Sequence, residues 1–143
     1  MKKMLPVALF FISLSGVAAE FTVTTSEIPR AISRPGVDAF SSHYLKALEF
    51  PRGVFPSARI KSISWSTASY PRSTGEKVKL CLGITLQEEL CENITPNSQG
   101  PSNYFNGRLF QYAYGMKFRH SAEGGERFSR PSGRDSLTIT FTY

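Results

Sequence analysis

Residues 110–118 read FQYAYGMKF, and this stretch decides the fold because large and small or polar positions alternate strictly along it. One set of alternate positions carries the large side chains, Phe110, Tyr112, Tyr114, Met116 and Phe118. Since successive side chains of a β-strand point to opposite faces of the sheet, this period of two predicts a long strand with one face in the core. We therefore expect the large side chains to be buried and Lys117 to face water.

The last seven residues, LTITFTY at 137–143, repeat the pattern. Leu137, Ile139, Phe141 and Tyr143 alternate with threonines, which suit a half-exposed pleated surface. We expect the chain to end inside a strand. Shorter strands are predicted at 21–25, at 60–70 with Ile63 and Trp65 on one face, and at 77–82. The turn-forming sequence YPRSTG at 70–75 predicts that the last two of these form a hairpin.

The rest of the chain gives weaker patterns. Four prolines interrupt 26–57, which we interpret as a covering loop with one helical turn within 38–48, where apolar residues are three and four positions apart. Residues 83–90 are expected to extend a strand toward Cys91, and the polar residues 93–103 to form a loop. Because strand patterns dominate and no internal repeat occurs, the sequence predicts an all-β fold, a single antiparallel β-sandwich or small barrel with one disulfide.

The N terminus has the organisation of a secretory signal peptide. Lys2 and Lys3 precede an apolar run at 5–14, and small residues at 17–19 precede Glu20. We expect residues 1–19 to be removed after Ala19, leaving a single β domain at 20–143. The apolar run is shorter than the roughly 20 residues of a membrane-spanning helix, so the mature chain is predicted not to span the membrane. The brief Met-Lys-Lys start is typical of bacterial signals, which makes the periplasm the predicted location.

The charge of the chain is modestly basic. It has 17 Lys and Arg against 11 Asp and Glu. Such an excess favours anionic partners such as phospholipid head groups or cell-wall polymers. It falls short of the concentrated basic stripe of a nucleic-acid-binding protein, and export also argues against that partner. We therefore expect no nucleic-acid partner.

The two cysteines, Cys81 and Cys91, both lie in the predicted mature chain. Paired thiols in an oxidising compartment usually form a disulfide, which here would stabilise the fold by about 2 to 4 kcal/mol. The alternative is a redox or metal pair. A redox site prefers two intervening residues, and a zinc site would need two further ligands, for example His43 and His120. The compartment favours the intrachain bridge.

No catalytic motif is recognisable in the sequence. It contains no nucleophile elbow, no zinc-protease helix motif and no phosphate-binding glycine loop. We expect no enzyme activity, no catalytic residue, no cofactor and no metal, and we interpret both histidines as surface or hydrogen-bonded structural residues.

The serine-rich segment at 127–134 supplies the candidate anion or partner contacts, Arg127, Arg130 and Arg134. Arginine side chains and neighbouring hydroxyls bind phosphate or carboxylate groups well. The alternative interpretation is a solvated connection between two strands, because turn-forming residues alone account for its serine, proline and glycine.

Several residues together resemble the FlhE family of small secreted flagellar proteins from enteric and related bacteria. They are Trp65, the run GEKVKLC at 75–81 with a second cysteine soon after, Phe118 six residues before the GGER at 124–127, Pro131, and a closing apolar strand ending at Tyr143. The similarity extends over 60–143.

The resemblance implies a non-enzymatic periplasmic accessory of flagellar assembly. Members of this family are associated with the export apparatus, limit proton leakage through it and affect swarming motility. The expected partner is therefore a protein, a flagellar export or basal-body component. The features that carry over to this chain are the pair Cys81 and Cys91 and the core aromatic Trp65.

Two other classes fit the sequence. A pilin-like or adhesive structural subunit, assembled by strand donation, would explain the size, the disulfide and the alternating terminal strand. A carbohydrate-binding module would use the aromatic residues Tyr104, Phe105, Phe110, Tyr112 and Tyr114 as a platform.

Overall fold

The structure is a computed structural model that describes residues 19–83, 90–110 and 115–143. These residues contain eight β-strands and two short 3-10 helices, Ala47–Glu49 and Phe55–Ser57. The strands are β1 (Glu20–Glu27), β2 (Ala39–Tyr44), β3 (Arg59–Ser66), β4 (Ser73–Leu82), β5 (Leu90–Ile94), β6 (Gln99–Ser102), β7 (Gly115–Gly125) and β8 (Asp135–Thr142). No helix in the described part of the chain is long and apolar enough to cross a membrane.

The strands form two four-stranded sheets with the orders β1-β8-β3-β6 and β2-β7-β4-β5. Every pairing between these strands is antiparallel. The all-β prediction is confirmed, and the architecture is a β-sandwich, because the two sheets are separate and do not close into a barrel. Cys81 on β4 lies directly opposite Cys91 on β5, and the two form the predicted disulfide.

The core lies between the inner faces of the sheets. The closing strand β8 supplies Leu137, Ile139 and Phe141, all buried as predicted. Tyr143 follows the end of β8 and is 43% exposed, so the expectation that the chain ends inside the strand was wrong by one residue. On β3, a register shift between Ile60 and Ser62 places Ile60 on the same buried face as Ile63 and Trp65.

The decisive stretch at 110–118 is only partly strand. β7 begins at Gly115, and Met116 and Phe118 are buried as expected. Phe110 is also buried, but it precedes the strand, and Tyr112 and Tyr114 lie outside the described residues. The expectation that Lys117 faces water was wrong. It is 3% exposed, and its ammonium group lies 5.1 Å from the centre of the Phe40 ring on β2.

The hairpin predicted around the turn at 70–75 is not formed. β3 and β4 belong to different sheets, so the connection crosses from one layer of the sandwich to the other. Tyr70 within this connection is buried, and the backbone N–H of Ala68 donates to the Asp135 carboxylate. Turn-forming residues indicate that the chain changes direction, and the buried contacts of the connection determine which sheet it enters.

Two strands occupy segments that were predicted to be irregular. β2 occupies most of the segment 38–48, where a helical turn was expected, because alternate residues Ala39, Ser41 and His43 point into the core. A single 3-10 turn, Ala47–Glu49, begins only at the end of that segment. Two of those three side chains are polar, so this segment of the sequence lacks the alternation of apolar and polar residues that usually predicts a strand. β6 lies within the predicted loop at 93–103, where Gly100 pairs with Trp65 and leaves room for the indole ring. Residues 84–89, expected to extend a strand, lie outside the described residues.

Candidate functional site

A buried carboxylate, Asp135, is the centre of a polar cluster between the two sheets. Its Oδ2 accepts a hydrogen bond from Ser41 Oγ at 2.5 Å and lies 2.7 Å from His120 Nε2. Its Oδ1 accepts from the backbone N–H of Ala68 at 2.8 Å. Because burial of an unpaired charge is costly, three partners around one carboxylate are what such a position requires.

His43 extends this cluster to the margin of the sandwich. Its Nε2 lies 3.3 Å from Ser41 Oγ, and its Nδ1 lies 2.6 Å from Thr25 Oγ1. The connected groups therefore run from Thr25 on β1 through His43 and Ser41 on β2 to Asp135 on β8 and His120 on β7. β1 and β8 belong to one sheet and β2 and β7 to the other, so the cluster joins the two layers.

Strand register explains why these polar side chains meet. Ala39 pairs with His120 and Ser41 with Phe118, which places Ser41 and His120 on the inner face of their sheet. Asp135 has the same parity as Leu137, Ile139 and Phe141, so it points into the core from the opposite sheet.

Burial shifts the pKa values of two groups near Asp135, His43 and Tyr70. Burial lowers the pKa of His43, and the negative charges of Asp135 and Glu27 oppose that shift to a smaller extent. Burial also raises the pKa of Tyr70, with smaller contributions from Asp135 and Glu76 in the same direction. The Tyr70 hydroxyl donates to the Arg30 carbonyl at 2.6 Å. The cluster therefore favours an uncharged His43 and a protonated Tyr70.

The cluster contains serine, histidine and aspartate, but its geometry is not that of a catalytic triad. Ser41 donates directly to the carboxylate instead of relying on histidine as an intermediate base. Ser41, His43, His120 and Asp135 are all buried. Within residues 19–83, 90–110 and 115–143, no three histidine, cysteine, aspartate and glutamate side chains converge to hold a metal ion. The cluster links the two sheets through hydrogen bonds in the core.

Sequence reasoning identified the two histidines as structural residues and missed Ser41 and Asp135. The hydrogen-bonded interpretation of the histidines is the correct one of the two offered. A usable signal existed for Asp135, because it lies two residues before Leu137 in a strictly alternating strand. No comparable signal existed for Ser41, because the strand that carries it was not recognised.

The three arginines predicted as anion or partner contacts have different surroundings. Arg134 hydrogen-bonds with Ser26 through Nε at 3.0 Å and through Nη2 at 3.1 Å, which ties the start of β8 to β1. Arg130 lines a surface depression together with Arg72 and Phe128, and neither Arg127 nor Arg134 lines it. Arg127 is exposed. Anion or partner binding by these residues stays a prediction.

The aromatic platform of a carbohydrate-binding module is not formed by the described residues that were proposed for it. Phe105 and Phe110 are fully buried, whereas Tyr104 is 49% exposed. Tyr112 and Tyr114 lie outside the described residues.

A surface groove lies beside β2. It has a volume of about 360 Å³ and is lined by Glu27, Ile28, Arg30, Phe40, Tyr44 and Lys117, among others. The groove lies on the opposite side of β2 from the buried cluster, because Phe40 and Tyr44 alternate with the inward-facing Ser41 and His43. Ser41, which belongs to the cluster, also contributes to the lining of the groove.

These features define a small antiparallel β-sandwich with one cross-strand disulfide, a buried polar cluster and a surface groove. No protein-family profile matches the sequence, and no curated protein matches it either.

Among solved structures, the fold is similar to the crystal structure of FlhE, with a TM-score of 0.62 and 16% sequence identity over 88% of this chain and 100% of that chain. The fold is FlhE-like, which confirms the predicted resemblance at the level of the fold. The coat protein of Tobacco streak virus gives a TM-score of 0.42 with 11% identity over 92% of this chain and 90% of that chain. A structure of Desmodium yellow mottle tymovirus gives 0.39 with 10% identity over 99% of this chain and 93% of that chain.

Proposed function

We propose that this chain is a periplasmic accessory of flagellar assembly that acts by binding a protein and catalyses no reaction. The observation that carries the proposal is the FlhE-like fold, which includes the whole length of the FlhE chain. The proposed partner is a flagellar export or basal-body component. The proposed effects are limited proton leakage through the export apparatus and altered swarming.

The chemistry of the described residues is in keeping with a binding role. The Ser41, His43 and Asp135 side chains are buried and hydrogen-bond to one another in the core. The accessible groove beside β2 carries apolar and charged side chains, a mixture typical of protein interfaces. A binding role requires the folded surface, whereas a catalytic role would require individual reactive groups.

The strand-donating alternative loses its main support. The alternating terminal segment that favoured a pilin-like subunit is β8, which pairs with β1 on one side and with β3 on the other. Its pattern is explained by the core of this chain and requires no second subunit.

The experiment is a gene deletion in a flagellated host, complemented with the full chain or with a chain that lacks residues 1–19. The deletion should alter swarming and increase proton entry, measured with a cytoplasmic pH reporter. The full chain should restore both, and the leaderless chain should not. Normal swarming and normal proton retention in the deletion strain, together with a lost pilus or adhesion phenotype, would overturn the proposal.

A further inference from the structure

The connections between strands differ in charge, and three of them are rich in arginine. The connections 28–38, 67–72 and 126–134 contain six arginines and two acidic residues. The remaining connections between strands contain three basic and three acidic residues, so the excess of positive charge is confined to the first three. We call these three connections the arginine-rich end. Its arginines are Arg30, Arg34, Arg72, Arg127, Arg130 and Arg134.

Backbone hydrogen bonds hold the three connections together at one end of the sandwich. Ile32 and Ser129 each donate an N–H to the carbonyl of the other at 2.9 Å. Ser69 and Ser132 exchange bonds in the same way at 3.2 and 2.7 Å. The arginine-rich end is therefore one connected surface.

Phe128 projects from this end in a strained backbone conformation. Its φ is 52°, a left-handed value that bulky residues rarely adopt, and the residue is 70% exposed. The Phe128 N–H donates to the Ser33 carbonyl at 3.0 Å, and the adjoining Ser129 is buried and bonded to Ile32. Contacts of the backbone thus hold an exposed aromatic ring in place at a conformational cost, which is a feature of binding surfaces.

The charge beside Phe128 is positive and mostly unneutralised. Arg72 and Arg130 line a depression of about 460 Å³ next to the ring, and Arg127 directly precedes it in the chain. Glu126 is paired with Arg72 at 3.0 Å. The guanidinium groups of Arg127 and Arg130 are exposed and have no hydrogen-bond or ion-pair partner among the described residues.

The neighbouring connection adds a further exposed arginine and no free carboxylate. Arg34 directly follows Ser33, which accepts the hydrogen bond from Phe128, and its guanidinium group also has no partner among the described residues. The acidic residue of this connection, Asp38, lies 3.5 Å from Arg119 on β7. Three unpaired arginines and one exposed aromatic ring therefore occupy the arginine-rich end.

We propose that the arginine-rich end binds the surface of an anionic phospholipid bilayer. The Phe128 ring enters the boundary between the head groups and the acyl chains. Arg34, Arg127 and Arg130 lie among the lipid phosphates. Basic residues around an aromatic ring are typical of proteins that attach reversibly to such surfaces.

The charge of this end favours a bilayer over a protein partner. The centre of a protein interface is depleted of charged residues, whereas Phe128 is surrounded by arginines. A bilayer carries anionic groups over its whole area, so it can neutralise arginines of several connections at once. The inference is independent of the proposed function, because the lipid surface is a different ligand from the proposed protein partner.

The experiment measures sedimentation of the purified protein with vesicles at physiological ionic strength. One set of vesicles contains phosphatidylcholine and phosphatidylglycerol in equal amounts, and the control set contains phosphatidylcholine alone. Half of the protein should bind the anionic vesicles at about millimolar lipid, which corresponds to about fivefold for each of three arginines and about tenfold for the ring. Binding to the neutral vesicles should be undetectable. In Phe128→Trp, the fluorescence of the new indole should shift to shorter wavelength when anionic vesicles are added.

The variants separate the arginine-rich end from the rest of the surface. Arg127→Gln and Arg130→Gln should each weaken vesicle binding by about fivefold. Phe128→Asn should weaken it by at least about tenfold, and circular dichroism should show this variant folded, because asparagine tolerates the left-handed conformation. The matched controls are Arg52→Gln and Leu48→Ser, which change exposed residues of the connection 45–58 and should leave binding within about twofold.

Four outcomes would overturn the inference. They are absence of binding at millimolar anionic lipid, equal binding to neutral vesicles, and equal losses in the control variants and in the variants of the arginine-rich end. The fourth is complete competition by soluble glycerol phosphate at the same phosphate concentration, since that result would assign the arginines to a free anion.

Discussion

Replacing Asp135 by alanine tests whether the buried polar cluster fastens the two sheets. The substitution removes the acceptor for Ser41 Oγ, for the Ala68 N–H and for His120 Nε2. Each buried donor left without a partner costs about 1 to 3 kcal/mol, and the three losses are not independent. Because three partners lose their acceptor together, we expect a decrease of about 3 to 5 kcal/mol in the free energy of unfolding.

The assay is urea denaturation followed by circular dichroism, with the disulfide kept intact. Asp135→Asn retains one carbonyl oxygen for the Ala68 N–H and should cost less than Asp135→Ala. The control is Asp38→Ala, because Asp38 is exposed and lies 3.5 Å from Arg119, so its loss should cost less than about 1 kcal/mol. Equal and small losses in Asp135→Ala and Asp38→Ala would refute the view that the cluster holds the sheets together.

Three further predictions concern pH, the disulfide and the core. The pKa of His43 is lower in the folded protein than its ordinary value near 6.5, so the unfolded chain binds the proton more readily. The stability of the fold should therefore decrease as the pH falls below about 6.5. His43→Gln should flatten this decrease between pH 7.5 and pH 5, measured by urea midpoints, and an unchanged slope would contradict the assignment. Replacing both Cys81 and Cys91 by alanine should destabilise the fold by about 2 to 4 kcal/mol, and alkylation followed by mass spectrometry should find both thiols protected in the natural protein. Phe118→Ala should lower the free energy of unfolding by about 3 to 5 kcal/mol, because Phe118 is fully buried. Lys79→Ala should change it very little, because Lys79 is exposed. Similar unfolding midpoints for the two variants would show that the core is misassigned.

The sequence predicts those strands whose buried faces are apolar. β8 was recognised because Leu137, Ile139 and Phe141 alternate with threonine, and the burial of these residues follows from that pattern. β2 was missed because its inward positions include Ser41 and His43. Where hydrogen bonds between the sheets replace hydrophobic contacts, the inward positions of a strand are polar and the alternation that predicts a strand is absent from the sequence.

The pairing of strands could be predicted less well than the strands themselves. The predicted turn at 70–75 is formed only by Pro71 and Arg72, because β4 already begins at Ser73, and it lies between strands of different sheets. A local pattern reports whether the chain turns, and contacts distant in sequence determine where it goes next. The contact between Ala68 and Asp135, 67 residues apart, is of this kind.

The candidate site was the least predictable part. Cys81 and Cys91 were paired correctly because two cysteines allow only one intrachain bridge, and predicted export favours its formation. The groove beside β2 combines residues that are far apart in sequence, such as Ile28 and Lys117, and no motif connects them. Arg134 was a candidate because of its chemistry, and its side chain bonds to Ser26 within the fold.

The most direct measurement of the central claim is site-specific photo-crosslinking in living flagellated cells. A photoreactive amino acid replaces Tyr44 beside the β2 groove in the full chain, and a second version carries it at Leu48, which is 95% exposed but does not line the groove. We predict an adduct from position 44 with a flagellar export or basal-body protein, identified by mass spectrometry, and no such adduct from position 48. An absent adduct in cells that assemble flagella, or an adduct with a pilus or other non-flagellar protein, would contradict the claim.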